Sequence, residues 1–245
     1  MNNFFLAQWF DWAYPACSRR TTFVNQILKR LGFYVSLQPR RRSGRMTNIE
    51  QRINMYHLVS QVLAYHVPGE LVELGCNEGQ SSVLIQKIIE HYDPTRILHV
   101  FDSFEGLPAP TSADGEKAFL QEGKLKTTRE VLIENFKKKH LRLPKIHQGW
   151  FDQTLPKELP DEICFAYLDG DYYESILVSL QYVYPRLASG AICLIDDYAD
   201  PLINPSGWNK LPGVKKACDE YLADKPEKVS GLYAGEMSHG FFRKL

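Results

Sequence analysis

Five apolar runs, at residues 70–75, 96–102, 144–148, 163–169 and 191–197, alternate with segments of helical spacing at 80–92, 127–139, 174–184 and 214–222. Strands separated by helices run parallel, so the pattern predicts an α/β fold: a doubly wound, mostly parallel sheet with helices on both faces. Gly190 is placed to close the third helix, and two further runs, 228–233 and 240–244, read as an antiparallel pair of later strands. The chain's 245 residues, 44% hydrophobic and 24% charged, suit one such domain with an appendage and exclude a disordered or fibrous class.

The domain is expected over residues 46–245 and the appendage, an N-terminal helical arm, over 1–45. The arm carries eight Lys and Arg against Asp11 alone, with an aromatic face formed by Phe4, Phe5, Trp9, Phe10 and Trp12. Such an arm can pack on the acidic remainder, on a second subunit, on a membrane surface or on an anionic substrate, and a homo-oligomer is expected. Over the whole chain 29 bases balance 29 acids, which removes the electrostatic footprint of a nucleic-acid binder. No stretch approaches the roughly 18 apolar residues of a membrane span and no signal-peptide pattern is present, so no integral membrane segment and a cytoplasmic location are expected. Five cysteines without a CxxC pair agree with a reducing compartment and offer no zinc site.

Three groups of residues carry chemistry. The first is Glu73-Leu74-Gly75-Cys76-Asn77-Glu78-Gly79-Gln80-Ser81-Ser82, which leaves the first strand and opens a helix. Its glycines permit a sharp turn and close approach to a ligand, although a plain strand-to-helix turn has the same look. The spacing is GxxxG, not the GxGxxG of dinucleotide folds, which counts against NAD. The second is Asp102, at the tip of the second strand, placed to accept hydrogen bonds from ribose hydroxyls or to cap a turn. The third is a set of carboxylates, with Asp169-Gly170-Asp171 ending one apolar run and Asp196-Asp197 ending the next. On neighbouring strands Asp169, Asp196 and Asp197 converge, and oxygen ligands of this kind favour Mg²⁺, Ca²⁺ or Mn²⁺. The alternative is that they cap helices or turn loops.

Together with Phe101-Asp102-Ser103-Phe104-Glu105-Gly106-Leu107-Pro108, Gly149-Trp150-Phe151, Leu168-Asp169-Gly170-Asp171-Tyr172-Tyr173-Glu174-Ser175 and Asp196-Asp197-Tyr198, these residues resemble the macrocin-type (TylF-type) sugar O-methyltransferases, in order and at matching spacing over about residues 46 to 245. The resemblance implies the class I, Rossmann-like methyltransferase fold, S-adenosyl-L-methionine as cofactor, Mg²⁺ or another divalent cation, and a small-molecule hydroxyl acceptor, glycosylated, from natural product biosynthesis. It also implies roles. Glu73, Gly75, Gly79 and Ser81 hold the methionine end of the cofactor, Asp102 its ribose, and Ser103, Gly149, Trp150 and Phe151 the adenine side. Asp169, Asp196 and Asp197 bind the metal, with Asp169 also near enough to act as base. Asn77 and Glu78 stand where the family tends to have an aromatic and a basic residue.

His147, just before Gly149, is a second candidate base, and Tyr198 and Trp208, in the loop beyond the carboxylates, are placed to stack on an acceptor ring. Within methyl transfer a catechol or other phenolic acceptor is the alternative to a sugar. From another class, Asp169-Gly170-Asp171 is formally the DxD motif of a metal-dependent glycosyltransferase, a reading that leaves the glycine loop and Asp102 without roles.

Overall fold

A computed structural model of the chain describes residues 19–32, 47–115, 119–205 and 207–245. The chain falls into two units, Met1–Met46 and Thr47–Leu245. The first contains α1 (Arg19–Arg30), on which Phe23, Val24 and Ile27 are exposed; the aromatic cluster at residues 4–12 lies outside the described residues.

In the second unit the apolar runs become strands because they can be covered on both faces. All six residues of β4 (Ile163–Leu168) are buried, as are the four that follow Glu70 in β1 (Glu70–Leu74). With β2 (Leu98–Asp102), β3 (Lys145–Gln148), β5 (Leu187–Asp196), β6 (Ser230–Ala234) and β7 (Met237–Arg243) they form one sheet of order β3-β2-β1-β4-β5-β7-β6. The first five strands of that order run parallel, and β7 is antiparallel to both β5 and β6. The expected fold class holds.

The helices are α2 (Ile49–Ala64), α3 (Gln80–Tyr92), α4 (Arg129–Lys138), α5 (Phe151–Glu158), α6 (Tyr173–Val183) and α7 (Pro212–Tyr221). The apolar pattern misses α2, which begins with a capping box: Asn48 Oδ1 accepts from Gln51 N while Gln51 Oε1 accepts from Asn48 N. That arrangement satisfies two N–H groups a helix start leaves free. α2 packs on α3, β5 and β6, and α6 packs on α7 and β4, so the two faces of the sheet are dressed separately. No helix among the described residues is long and apolar enough to cross a membrane.

Gly190 does not close a helix. α6 gives way to a 3₁₀ turn at Tyr184–Arg186, and Gly190 sits inside β5 at φ +86°. There the register jumps: Ile163 pairs with Leu187, yet Phe165 pairs with Ile192. The extra residues bulge out of β5, and the left-handed backbone this requires is one that glycine adopts without cost.

Candidate active site

The tips of β1, β2, β4 and β5 lie side by side at the carboxyl edge of the sheet, where β4 follows β1 and the strand order reverses. In sheets of this kind that edge holds the ligand. At the end of β1, Glu73 is fully buried. Ser81 Oγ donates to its Oε1, while its Oε2 has no partner. Burial pushes this carboxyl up to about 7, against the hydrogen bond of Ser81, with the charge of Asp102 adding to the rise. A buried carboxylate oxygen left without a donor fits a cationic ligand group, and the ammonium of a methionine moiety is one.

Gly75 turns the chain out of β1 at φ +93°, and a Cβ there would stand 1.9 Å from Asp169 O. β1 and β4 therefore approach closely only because Gly75 has no side chain. Gly79 starts α3, also with a left-handed backbone. Between them, Asn77 N donates to Asp102 Oδ2 at 2.7 Å, and Asn77 Nδ2 donates to Leu125 O at 2.7 Å. Asn77 thus ties the glycine loop to the tip of β2 and to the long loop beyond it.

Asp102 accepts a second backbone donor, Phe104 N, at 2.7 Å on Oδ1, and burial raises its pKa despite these bonds. Ser103, buried beside it, donates to Gly106 O and accepts from Glu105 N. Gly149 N reaches Asp102 O at 2.9 Å, which carries Trp150 and Phe151 into α5 at the same edge. The Phe151 ring lies close enough to contact a Cβ placed on Gly170 at 3.5 Å. The expected adenosyl-contacting residues thus gather on the tips of β1, β2 and β3.

One strand over, Asp169, Asp171 and Asp197 each bring a carboxylate oxygen within 4.8 Å of the others. Asp171 and Asp197 get there by left-handed backbone turns, φ +59° and +55°, directly after their strands. Burial, then the charge of Asp196, raises Asp169 and Asp197 well above the ordinary carboxylate range, and the same causes push Asp171 up to about 7. Asp197 Oδ1 is buried without a partner. Three crowded carboxyl groups with an orphaned oxygen are in tension that either shared protons or a divalent cation relieves, and the all-oxygen donor set suits Mg²⁺ or Mn²⁺.

The trio differs from the expected one. Asp169 and Asp197 are in it together with Asp171; the third expected residue, Asp196, stands at the end of β5, where Gln51 Nε2 donates to its Oδ1 at 2.8 Å and His239 Nε2 stands 2.7 Å from the same oxygen, with Oδ2 taken by neither. Spacing alone treats Asp196 and Asp197 alike, whereas the turn at Asp197 sends the two in different directions.

His147 is not brought to the trio. It lies on β3, three strands from β4, so at about 4.8 Å per strand it is some 14 Å away. Its ring stacks on Phe101 at 4.3 Å, and its nitrogens contact His99 Nδ1 at 3.0 Å and Glu158 Oε2 at 2.5 Å. Tyr198 is buried, donates to Asp219 Oδ1 at 3.2 Å, packs on Gly240 and lines a pocket with Cys218, Asp219, Leu222, Lys228 and Val229. Trp208 meets the exposed Phe119 edge-on, centroids 5.4 Å apart, and so joins the loop after β5 to the loop after β2.

One anchoring residue had no conspicuous signal. Asp114, buried within the loop after β2, accepts from Thr111 N at 2.8 Å and from Tyr173 N at 2.7 Å. It pins that loop to the first turn of α6, just beyond Asp171. The only hint was the local spacing Thr111-x-x-Asp114, a small capping box.

Sheet order, the reversed β7 and the acidic edge beside a glycine turn define the class I methyltransferase fold. A solved structure described as the O-methyltransferase NovP superposes with a TM-score of 0.67 at 26% identity, covering 85% of this chain and 84% of that one. The family model of the macrocin O-methyltransferases (TylF) matches residues 39–210, and the chain belongs to that family. Among curated relatives, the 8-demethyl-8-(2,3-dimethoxy-alpha-L-rhamnosyl)-tetracenomycin-C 4'-O-methyltransferase of Streptomyces olivaceus is 36% identical over 162 residues, 63% of this chain. The mycinamicin III 3''-O-methyltransferase of Micromonospora griseorubida is 30% identical over 166 residues, 64% of this chain. These alignments span 62% and 65% of the relatives' own lengths, slightly under two thirds.

Proposed function

We propose that the protein is an S-adenosyl-L-methionine-dependent O-methyltransferase that acts on a sugar hydroxyl of a glycosylated natural product with help from a divalent cation. One observation carries the reading: the unpartnered oxygen of Glu73 and the trio Asp169, Asp171 and Asp197 share one sheet edge, with β1 and β4 adjacent. The family and the relative named for a rhamnosyl compound support the acceptor class.

In this reading Glu73 Oε2 binds the cofactor's ammonium, Asp102 its ribose hydroxyls, and Ser103, Gly149, Trp150 and Phe151 the adenine side. Methyl transfer breaks the sulfur–methyl bond and forms an oxygen–methyl bond, and the acceptor's hydroxyl proton must leave. Asp169, the trio member at the tip of β4, accepts it as general base. Asp169, Asp171 and Asp197 would hold a divalent cation, which would supply Lewis-acid stabilisation of negative charge on the acceptor oxygen. Most of the rate comes from holding donor and acceptor in line, worth about 7–11 kcal/mol when alignment is good.

The test measures methyl transfer by mass spectrometry from S-adenosyl-L-methionine to a panel of deoxysugar glycosides and catechols, with and without EDTA. The expected result is glycoside methylation that EDTA and Asp197→Asn each reduce at least 100-fold while S-adenosylhomocysteine still binds. Full turnover of Asp197→Asn in EDTA would dispose of the cation, and methylation of catechols alone would dispose of the sugar.

A further inference from the structure

The turns that leave β1 and β4 each send a side chain to the long loop after β2. Asn77, two residues beyond Gly75, donates from Nδ2 to Leu125 O at 2.7 Å, and the Tyr172 phenol, one residue beyond Asp171, donates to Leu120 O at 2.8 Å. Residues 120–125 are therefore pinned at one end to the exit of β4 and at the other to the exit of β1, strands that lie side by side where the order reverses. Both pins are preset by their own surroundings. Asn77 Oδ1 accepts from Glu78 N at 2.7 Å, which leaves Nδ2 as the end that faces Leu125, and Tyr172 is 1% exposed.

The segment itself is lightly held. It is exposed from Gln121 to Leu125, so little buried apolar surface opposes its lifting. Lys124 N donates to Gln121 O at 3.1 Å and folds it into a turn, and its other backbone bonds among the described residues run to Leu107 of the same loop. Leu125 closes it at φ +61°, a left-handed backbone that leucine holds only against strain. At the same crevice the Glu73 oxygen without a partner belongs to a fully buried residue. An ammonium reaches that oxygen only if a covering part moves. β1 and β4 are buried on both faces and the glycine loop is tied to Asp102, which leaves residues 120–125, on two side-chain hydrogen bonds, as the least firmly held of these parts.

Resting on the reading of this crevice as the cofactor site, we propose that residues 120–125 are a gate over it and that Asn77 and Tyr172 are positioning residues that hold the gate shut, and so set how fast the cofactor and its product exchange. Both pins bond protein to protein, so loosening one raises the open fraction with and without a bound molecule. Entry and exit then speed up by the same factor and the equilibrium affinity is unchanged. One ordinary hydrogen bond corresponds to about fivefold in the open fraction. A role in loop stability alone predicts no such paired change.

The experiment measures association and dissociation rates of S-adenosylhomocysteine on the full chain by surface plasmon resonance, with the affinity taken separately from calorimetry. Tyr172→Phe removes only the phenol oxygen that reaches Leu120. Asn77→Gly removes the amide while keeping a left-handed backbone and the N–H to Asp102, and Tyr173→Phe removes a neighbouring phenol that bonds Glu220 instead. Expected are association and dissociation both about three- to tenfold faster in Tyr172→Phe and Asn77→Gly with affinity within about twofold of the parent, and all three quantities within about twofold in Tyr173→Phe. If Asn77→Gly does not fold, Tyr172→Phe against Tyr173→Phe decides. Parent protein that binds, with Tyr172→Phe exchanging no faster or releasing faster without entering faster, overturns the gate alone, as does equal acceleration in Tyr173→Phe. Parent protein that does not bind S-adenosylhomocysteine overturns the cofactor reading, and the gate with it.

Discussion

Replacing Gly75 with alanine measures how far the chemistry depends on the contact between the tips of β1 and β4. A Cβ on Gly75 falls 1.9 Å from Asp169 O and 2.8 Å from its carbonyl carbon, where real Cβ contacts do not fall below 3.0 Å. Asp169 must retreat by about 1 Å, against two backbone bonds that hold the junction, Asp169 N to Leu74 O at 2.8 Å and Gly75 N to Phe101 O at 2.9 Å. The left-handed backbone at φ +93° costs alanine about 1–2 kcal/mol. Losing one of the two hydrogen bonds adds about 1 kcal/mol. For a chain of this size, about 2–3 kcal/mol lowers the melting temperature by about 4–12 °C. The displacement matters more to catalysis, because a misplacement of about 1 Å costs roughly 100-fold in rate. Scanning calorimetry and single-turnover methyl transfer would read the two effects separately. Alanine at position 75 with a melting temperature within 2 °C of the parent and more than a tenth of its rate would refute the argument.

Two further outcomes concern pH. Burial works against the charge of Glu227, but Lys244, Tyr184 and the Leu245 N–H hold its carboxyl down to about 2 from an ordinary 4.5, so its contribution to stability is present above about 4.5 and is lost as pH falls toward 2; Glu227→Gln should flatten the fall in melting temperature over that interval, and an unchanged acid limb would reject the assignment. Glu73 runs the other way: raised to about 7, it favours the folded chain most below pH 4.5 and loses that benefit as pH climbs through 7, so S-adenosylhomocysteine should bind more tightly from pH 5 to 8 and Glu73→Gln should lose that slope in a calorimetric titration; the cofactor-free protein should melt progressively lower over the same range, less steeply in Glu73→Gln, where the raised Asp169, Asp171 and Asp197 still contribute, and an unchanged slope would reject the assignment.

What could be read from the sequence follows from which forces act locally. β4 and β5 are buried on both faces, so their apolar runs are unbroken and their acidic ends stand out. α2 hides because its buried set includes Gln51 and Arg52, which blur the apolar stripe, although the Asn48-x-x-Gln51 pair at its start was a usable sign. α5 is short and contains Pro156, so no helical period develops. Gly190 has the position of a helix stop, but its role arises from the β4–β5 register, a property of two strands that neither run announces. The same limit applies to the carboxylates. That four of them end adjacent strands was legible; that Asp171 turns inward while Asp196 is drawn to Gln51 and His239 depends on backbone turns and on a β7 partner some 40 residues later. His147 is legible as a histidine near a strand tip, but sheet order, unknown until the fold is seen, puts it three strands away.

The hydrogen bond from Asn48 to Ala234 joins residues 186 positions apart. During synthesis β4 and β5 emerge from the ribosome well before β7, so the outer edge of β5 lies open until residues 237–243 have been made. Contacts of such long sequence separation are paid for in chain entropy before they return any stability, which makes their formation slow. The β5–β7 seam, with the Asp196–His239 contact on it, is therefore the last part of the sheet to acquire its final shape.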